Sequence, residues 1–174
     1  MSNPKVTDKL DTSFFQNKFQ TAAQQLDRHL LEKLQIEVAV VELLNCVVIK
    51  LYKRAWANPG TDPLTATTRI FFSIWADDAS MSDQEMSYNI HAFKLRHLAG
   101  YNIGSRKFAT AFREKFKKYE AQWKNVSVQF GPLTLMGGRQ SVNMENLHDE
   151  VLTLLNNFLK IEHLIDETLF EFRK

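Results

Sequence analysis

The sequence predicts an α+β fold, predominantly helical, with a small antiparallel sheet built from two central hairpins, and three observations carry that reading. Apolar residues recur three or four apart over long stretches at both ends of the chain. Alternation of apolar and polar residues is confined to the middle. Glycine and proline, only six and four in number, gather around residues 59–63, 100–104 and 131–138 and punctuate those stretches.

Four helices are expected, taken in order. Asp11 or Thr12 caps the first, which runs to about Leu34 on the series Phe15, Phe19, Ala22, Leu26, Leu30 and Leu34. The valine-rich segment Glu37–Trp56 reads as a second helix. Its polar residues Glu37, Glu42, Asn45, Lys50 and Lys53 do not alternate, whereas Val40, Val41, Leu44, Val47, Val48 and Leu51 share one broad helical face. Asn58-Pro-Gly-Thr-Asp-Pro stops it.

Arg69–Ala76 then alternates as a strand, Asp77–Glu85 is a polar acidic loop, and Tyr88–Leu98 returns as the second strand of a hairpin. Ser105 caps a third helix to Lys124 on Phe108, Phe112, Phe116, Tyr119 and Trp123. Val126–Phe130 and Leu133–Met136 form a second hairpin around Gly131-Pro132, closed off by Gly137-Gly138. The last element is a long C-terminal helix. Met144, Leu147, Val151, Leu154, Phe158, Ile161 and Ile165 make a heptad-like seam that only Thr168 interrupts.

Residues 1–174 are expected to be one globular domain with residues 1–10 frayed. A hydrophobic fraction of 44% and a charged fraction of 24% exclude a disordered or collagen-like chain. Cys46 is the only cysteine, so no disulfide closes within the chain, and its apolar neighbours make it a buried, inert thiol. The N-terminal residues lack the apolar core of a secretory signal, and the stretch Val38–Leu51 falls short of a membrane span. A cytoplasmic location without membrane contact is the expectation.

The net charge of +2 hides an asymmetry. Residues 105–124 carry seven basic and two acidic groups, while residues 145–171 carry seven acidic groups against Lys160. Arg106, Lys107, Arg113, Lys117 and Lys118 share one helical face and form the candidate polyanion site, since phosphates bound there release counterions. The alternative is that basic and acidic helices match each other.

Other constellations are weaker. His91 and His97 fall on one side of the second strand with Arg96 on the other, and no third metal ligand appears at a recognisable spacing. Glu145-Asn-Leu-His148 has the Glu-x-x-His form of di-iron bundles but no second copy, and His163 with Asp166 and Glu167 reads as a surface ion-pair group. Asp77, Asp78, Asp83 and Glu85 lack calcium-loop spacing, and Gly137-Gly138-Arg139 lacks a phosphate-loop lysine. No cofactor and no catalytic motif is expected.

Three functions follow from these features. The first is a non-enzymatic protein interaction or assembly module acting through its helices, by self-association or with a protein partner, with Leu147, Val151, Leu154, Phe158, Ile161 and Ile165 as the interface. The second is nucleic-acid or polyanion binding through the basic helix. The third is an enzyme or small-ligand binder with a pocket between sheet and helices near His91, His97 and Arg96.

Overall fold

A computed structural model describes residues 12–174, so the expected cap at Asp11 and the expected fraying of residues 1–10 lie outside the described residues. The described residues form six α-helices and one six-stranded antiparallel sheet. The class is α+β, but the molecule is not predominantly helical with a small sheet: helix accounts for 44% and strand for 27%.

The N-terminal helix is two helices, α1 (Thr12–Gln24) and α2 (Arg28–Leu34). Asp27 makes the break: its Oδ1 accepts hydrogen bonds from the backbone amides of His29 (3.0 Å) and Leu30 (3.2 Å). An aspartate placed so satisfies two amides that a continuous helix would not orient toward it. Gln35 then closes α2 in the left-handed region at φ 58°.

The largest correction falls at Glu37–Trp56. This segment is a hairpin, β1 (Glu37–Leu43) and β2 (Cys46–Tyr52), followed by a 3-10 turn at Arg54–Trp56. The pairing Leu43↔Cys46 leaves only Leu44 and Asn45 in the turn, with Leu44 at φ 55°. That turn resets the alternation, so polar residues counted across it fit no strand period. β2 is also buried on both faces, which erases its own alternation, and the density of valine and isoleucine favours the pleated conformation.

The central hairpin is found between β3 (Arg69–Ala76) and β4 (Glu85–Phe93). The intervening acidic segment is a short helix, α3 (Asp78–Asp83), rather than a loop. It starts on a capping box, in which Asp77 Oδ1 accepts from the Ser80 amide (3.0 Å) and Ser80 Oγ accepts from the Asp77 amide (2.9 Å). β4 ends five residues earlier than expected because Lys94 turns into the left-handed region at φ 49°.

α4 (Ser105–Phe116) is capped by Gly104, with Ser105 as its first helical residue, and it ends eight residues short of Lys124. β5 (Val126–Ser127) pairs with β6 (Thr134–Ser141), giving the sheet order β1-β2-β3-β4-β6-β5. Gly137 and Gly138 do not close a hairpin; they sit inside β6 opposite Asn89 and Tyr88. A Cβ at Gly138 would fall 2.5 Å from Tyr88 Oη and 2.7 Å from the Asn125 carbonyl, so only glycine fits.

The long C-terminal helix is also two, α5 (Leu147–Leu159) and α6 (His163–Glu171), separated by a turn at 160–162. The apolar series runs through the break because both helices bury the same side against the core. Thr168, the interruption in that series, is fully buried and donates its hydroxyl to the Leu164 carbonyl (2.6 Å).

Strand register separates the sheet into two faces. Ile49, Leu51, Ile70, Phe72, Ile74, Tyr88, Ile90 and Met136 point to one, and α1, α4, α5 and α6 gather there. Phe158 of α5 stacks on Phe72 with ring centroids 4.5 Å apart, and Trp123 meets both Phe72 and Tyr88. Among the described residues the helical layer lies on one face; the other, the open side, has no such layer, although Val48, Lys50, Phe71, Ser73 and Ser87 on it are buried. No helix of the described residues is long and apolar enough to cross a membrane.

Candidate functional site

The open face is built in rows across the strands. One row reads Ala39, Lys50, Ser73, Asn89 and Gly137; the next reads Val41, Val48, Trp75, Ser87 and Arg139. On the other side of the first row lie Phe71, His91 and Thr134, and beyond them Arg69 opposite Phe93. The first row is narrow and mostly small, with Ser73 Oγ and Asn89 Oδ1 hydrogen-bonded at 2.6 Å. Phe130 comes within 3.6 Å of the Cβ position of Gly137 and bounds the row at its β6 end.

Lys50 is the unusual residue of this face. It is only 7% exposed, and among the described residues its ammonium has neither a carboxylate nor a hydrogen-bond partner. Its Nζ lies 4.7 Å above the Phe71 ring. Burial pushes its pKa down, and the neighbouring Arg69 pushes it down further.

Arg69 is itself half-buried, its guanidinium 5.1 Å from both the Phe71 and Phe93 rings. One of its terminal nitrogens donates to the Ala66 carbonyl, while its buried Nε has no hydrogen-bond partner among the described residues. His91 completes the cluster, 5.3 Å from Phe71 and stacked 5.1 Å from Phe93, with Nδ1 3.3 Å from Thr134 Oγ1. Burial pushes the His91 pKa down, and Lys50 and Arg69 add to that. Among the described residues the rings of Phe71, His91 and Phe93 meet only one another and these cations.

The acids of the same face are already paired at its borders, Glu37 with Arg54 (3.1 Å) and Glu85 with Arg139 (3.4 Å). The centre therefore holds two adjacent cations and an imidazole beside three aromatic rings, with Trp75 half-buried nearby. Such a centre attracts an anion and offers flat surfaces for stacking.

The basic residues of 105–124 separate into different settings. Arg113 is spent inside the chain: its Nε donates to the Leu135 carbonyl (3.1 Å) and its Nη2 to those of Phe130 (3.0 Å), Gly131 (3.2 Å) and Thr134 (2.9 Å). Lys117, just past the end of α4, pairs with Glu114 at 2.8 Å, and Lys118 is exposed in the turn that follows. Arg106 and Lys107 instead line a cleft of about 720 Å³ together with Lys94, Arg96 and the start of α4, with no acidic residue among its lining. The acidic and basic segments meet through one ion pair among the described residues, Lys115 with Glu171.

Leu147, Val151, Leu154, Phe158, Ile161 and Ile165 are all buried within the chain's own core. Charged substitutions at Phe158 and Ile165 would therefore disturb folding before they reported on association. His91 and His97 do not share a side, because the left-handed Lys94 ends the strand between them and His97 lies in a 3-10 turn. Arg96 lines the cleft instead. His148 pairs with Asp149 (3.3 Å), and His163 lies 3.4 Å from the Tyr119 hydroxyl rather than against Asp166. Among the described residues no three His, Cys, Asp or Glu side chains gather as a metal site.

A second charged cluster was not anticipated from the sequence. Lys53 Nζ lies 2.6 Å from both Glu162 Oε2 and Asp166 Oδ2, and Trp56 Nε1 donates to Asp166 Oδ1 at 2.8 Å. Burial alone would lower the Lys53 pKa, but its contacts with Asp166 and Glu162 outweigh this and raise it. A lysine held as ammonium is neither a nucleophile nor a base. The cluster ties the end of β2 to α6.

No family model matches this chain, no curated protein is similar to it, and no solved structure matches its fold.

Proposed function

We propose that this chain is a non-enzymatic binding module that takes up an anionic ligand carrying flat rings on the open face of its sheet. The observation that carries the reading is Lys50, a cation 7% exposed and, among the described residues, without a carboxylate, set beside a second cation. A cation held beside a second cation, with its aliphatic stem buried and no carboxylate at hand among the described residues, is disfavoured by both desolvation and repulsion. The contact with Phe71 offsets about 1–2 kcal/mol of that cost but leaves the repulsion from Arg69 in place. An anion over Lys50 and Arg69 would relieve both, while the half-buried His91 and Phe93 stack against its rings and Phe71 backs the site from within.

Trp75, on the same face, is a reporter for the test. Uridine monophosphate should quench its fluorescence saturably, and Lys50→Met should weaken binding by about tenfold or more, the scale of one charge-assisted hydrogen bond. Unchanged affinity in the variant would remove Lys50, and with it this reading.

A second reading, a protein interaction or assembly module, is favoured by the β1 edge. Among the described residues β1 pairs on one side only, carries neither lysine nor proline, and ends at Leu43, which with Leu44 of the following turn is exposed, at 53% and 98%. If that edge joins chains, native mass spectrometry should show an oligomer that Leu43→Glu with Leu44→Glu dissociates. A monomeric wild-type protein would dismiss it.

A further inference from the structure

We infer that the ligand of the open face is a single-stranded nucleic acid, whose backbone leaves the sheet at Lys94 and continues into the cleft at the start of α4. This rests on the reading of the open face given above and names its ligand class. Rings and cations share the sheet part of the route, with Lys50, Phe71, Arg69, Phe93 and His91, and cations dominate the cleft, with Lys94, Arg96, Arg106 and Lys107 beside the single ring of Phe172. The two parts are joined by the chain itself, since Phe93 ends β4 and Lys94 is the next residue. The exposed Leu133, which lines the cleft, immediately precedes Thr134, the neighbour of His91.

A polymer that carries both phosphates and unpaired bases matches a route with rings and cations at one end and cations at the other. Its phosphates neutralise the cations, and its bases stack on aromatic faces without regard to sequence. A duplex hides its base faces and is read by elements that enter its grooves, which a sheet face with recessed rings does not do. An acidic peptide supplies the charge but not the flat rings. The free amides at the start of α4 add to the pull on a phosphate in the cleft but do not define it.

The test is fluorescence anisotropy with a labelled oligouridylate of about eight nucleotides, within the span of known single-strand sites. Uridine monophosphate, a duplex of equal length and polyglutamate serve as competitors. The oligonucleotide should bind at least about thirtyfold tighter than the monophosphate, with affinity falling steeply as salt rises. Arg106→Glu with Lys107→Glu should cost about tenfold for the oligonucleotide and nothing for the monophosphate, whereas Lys50→Met should weaken both. Lys50→Gln and circular dichroism of each variant separate lost binding from lost folding.

Equal affinity for oligonucleotide and monophosphate, or equal displacement by the duplex or by polyglutamate, overturns this inference while leaving an anion site on the sheet. No binding of either nucleotide probe overturns both.

Discussion

At the scale of single residues, Lys53 is held by two carboxylates in a setting where it is only 8% exposed. Lys53→Met leaves the buried Glu162 without its cation, and stability should fall by about 3 kcal/mol at neutral pH, read as a lower urea midpoint. Gly138→Ala is the steric counterpart: the added methyl meets the Tyr88 hydroxyl and the Asn125 carbonyl, and should cost about 1–3 kcal/mol. Tyr88 cannot easily give way, since it donates to the Lys124 carbonyl at 2.5 Å and burial pushes its pKa up to about 12. His91 sets a pH dependence. Its pKa is lowered in the folded chain, so below the ordinary histidine value near 6.5 the unfolded chain binds the extra proton more readily. Stability should therefore fall as pH drops through that value, and a bound anion, by favouring imidazolium, should reverse part of the fall. His91→Gln should flatten the profile.

At the scale of elements, small local chemistry decides where helices start and stop. Asp27→Ala should destabilise the fold by about 1 kcal/mol, the usual worth of an N-cap, with the loss confined to α2 in hydrogen exchange. The apolar pattern of residues 12–34 does not reveal this break, because both helices keep their apolar side toward the core. The same holds for α5 and α6. The β1–β2 hairpin was hidden for another reason: its turn is Leu44-Asn45, without the glycine that normally marks such a turn, and β2 is apolar on both sides. By contrast β3 was legible, since Ile70, Phe72, Ile74 and Ala76 recur at every second position between Arg69, Ser73 and Trp75, with only the buried Phe71 out of pattern. β4 was legible in its centre but not at its end, where a left-handed lysine has no sequence signature.

Over the whole molecule, a helical layer lies on one side of the sheet among the described residues, and the charge of the other side, where binding is proposed, sets the expected salt response. Raising salt should weaken oligonucleotide binding while leaving thermal stability nearly unchanged, because the Lys53–Glu162 pair is shielded from solvent and the other ion pairs, exposed on at least one side, contribute little to stability. A parallel loss of both would place the effect in the fold rather than in the site. From the sequence alone came the α+β class, the β3 strand, the aromatic buried face of α4 and the charge asymmetry, because each rests on local periodicity or composition. The six-stranded sheet and its open face came only with the tertiary structure. Lys50, Arg69, His91 and Phe93 belong to three strands, and only the register between those strands brings them together. Arg113 is the converse: on the sequence it is one cation among several, and in the fold it is bound to four carbonyls. A charge is visible in a sequence, but whether it is free to bind depends on which partners the fold places around it.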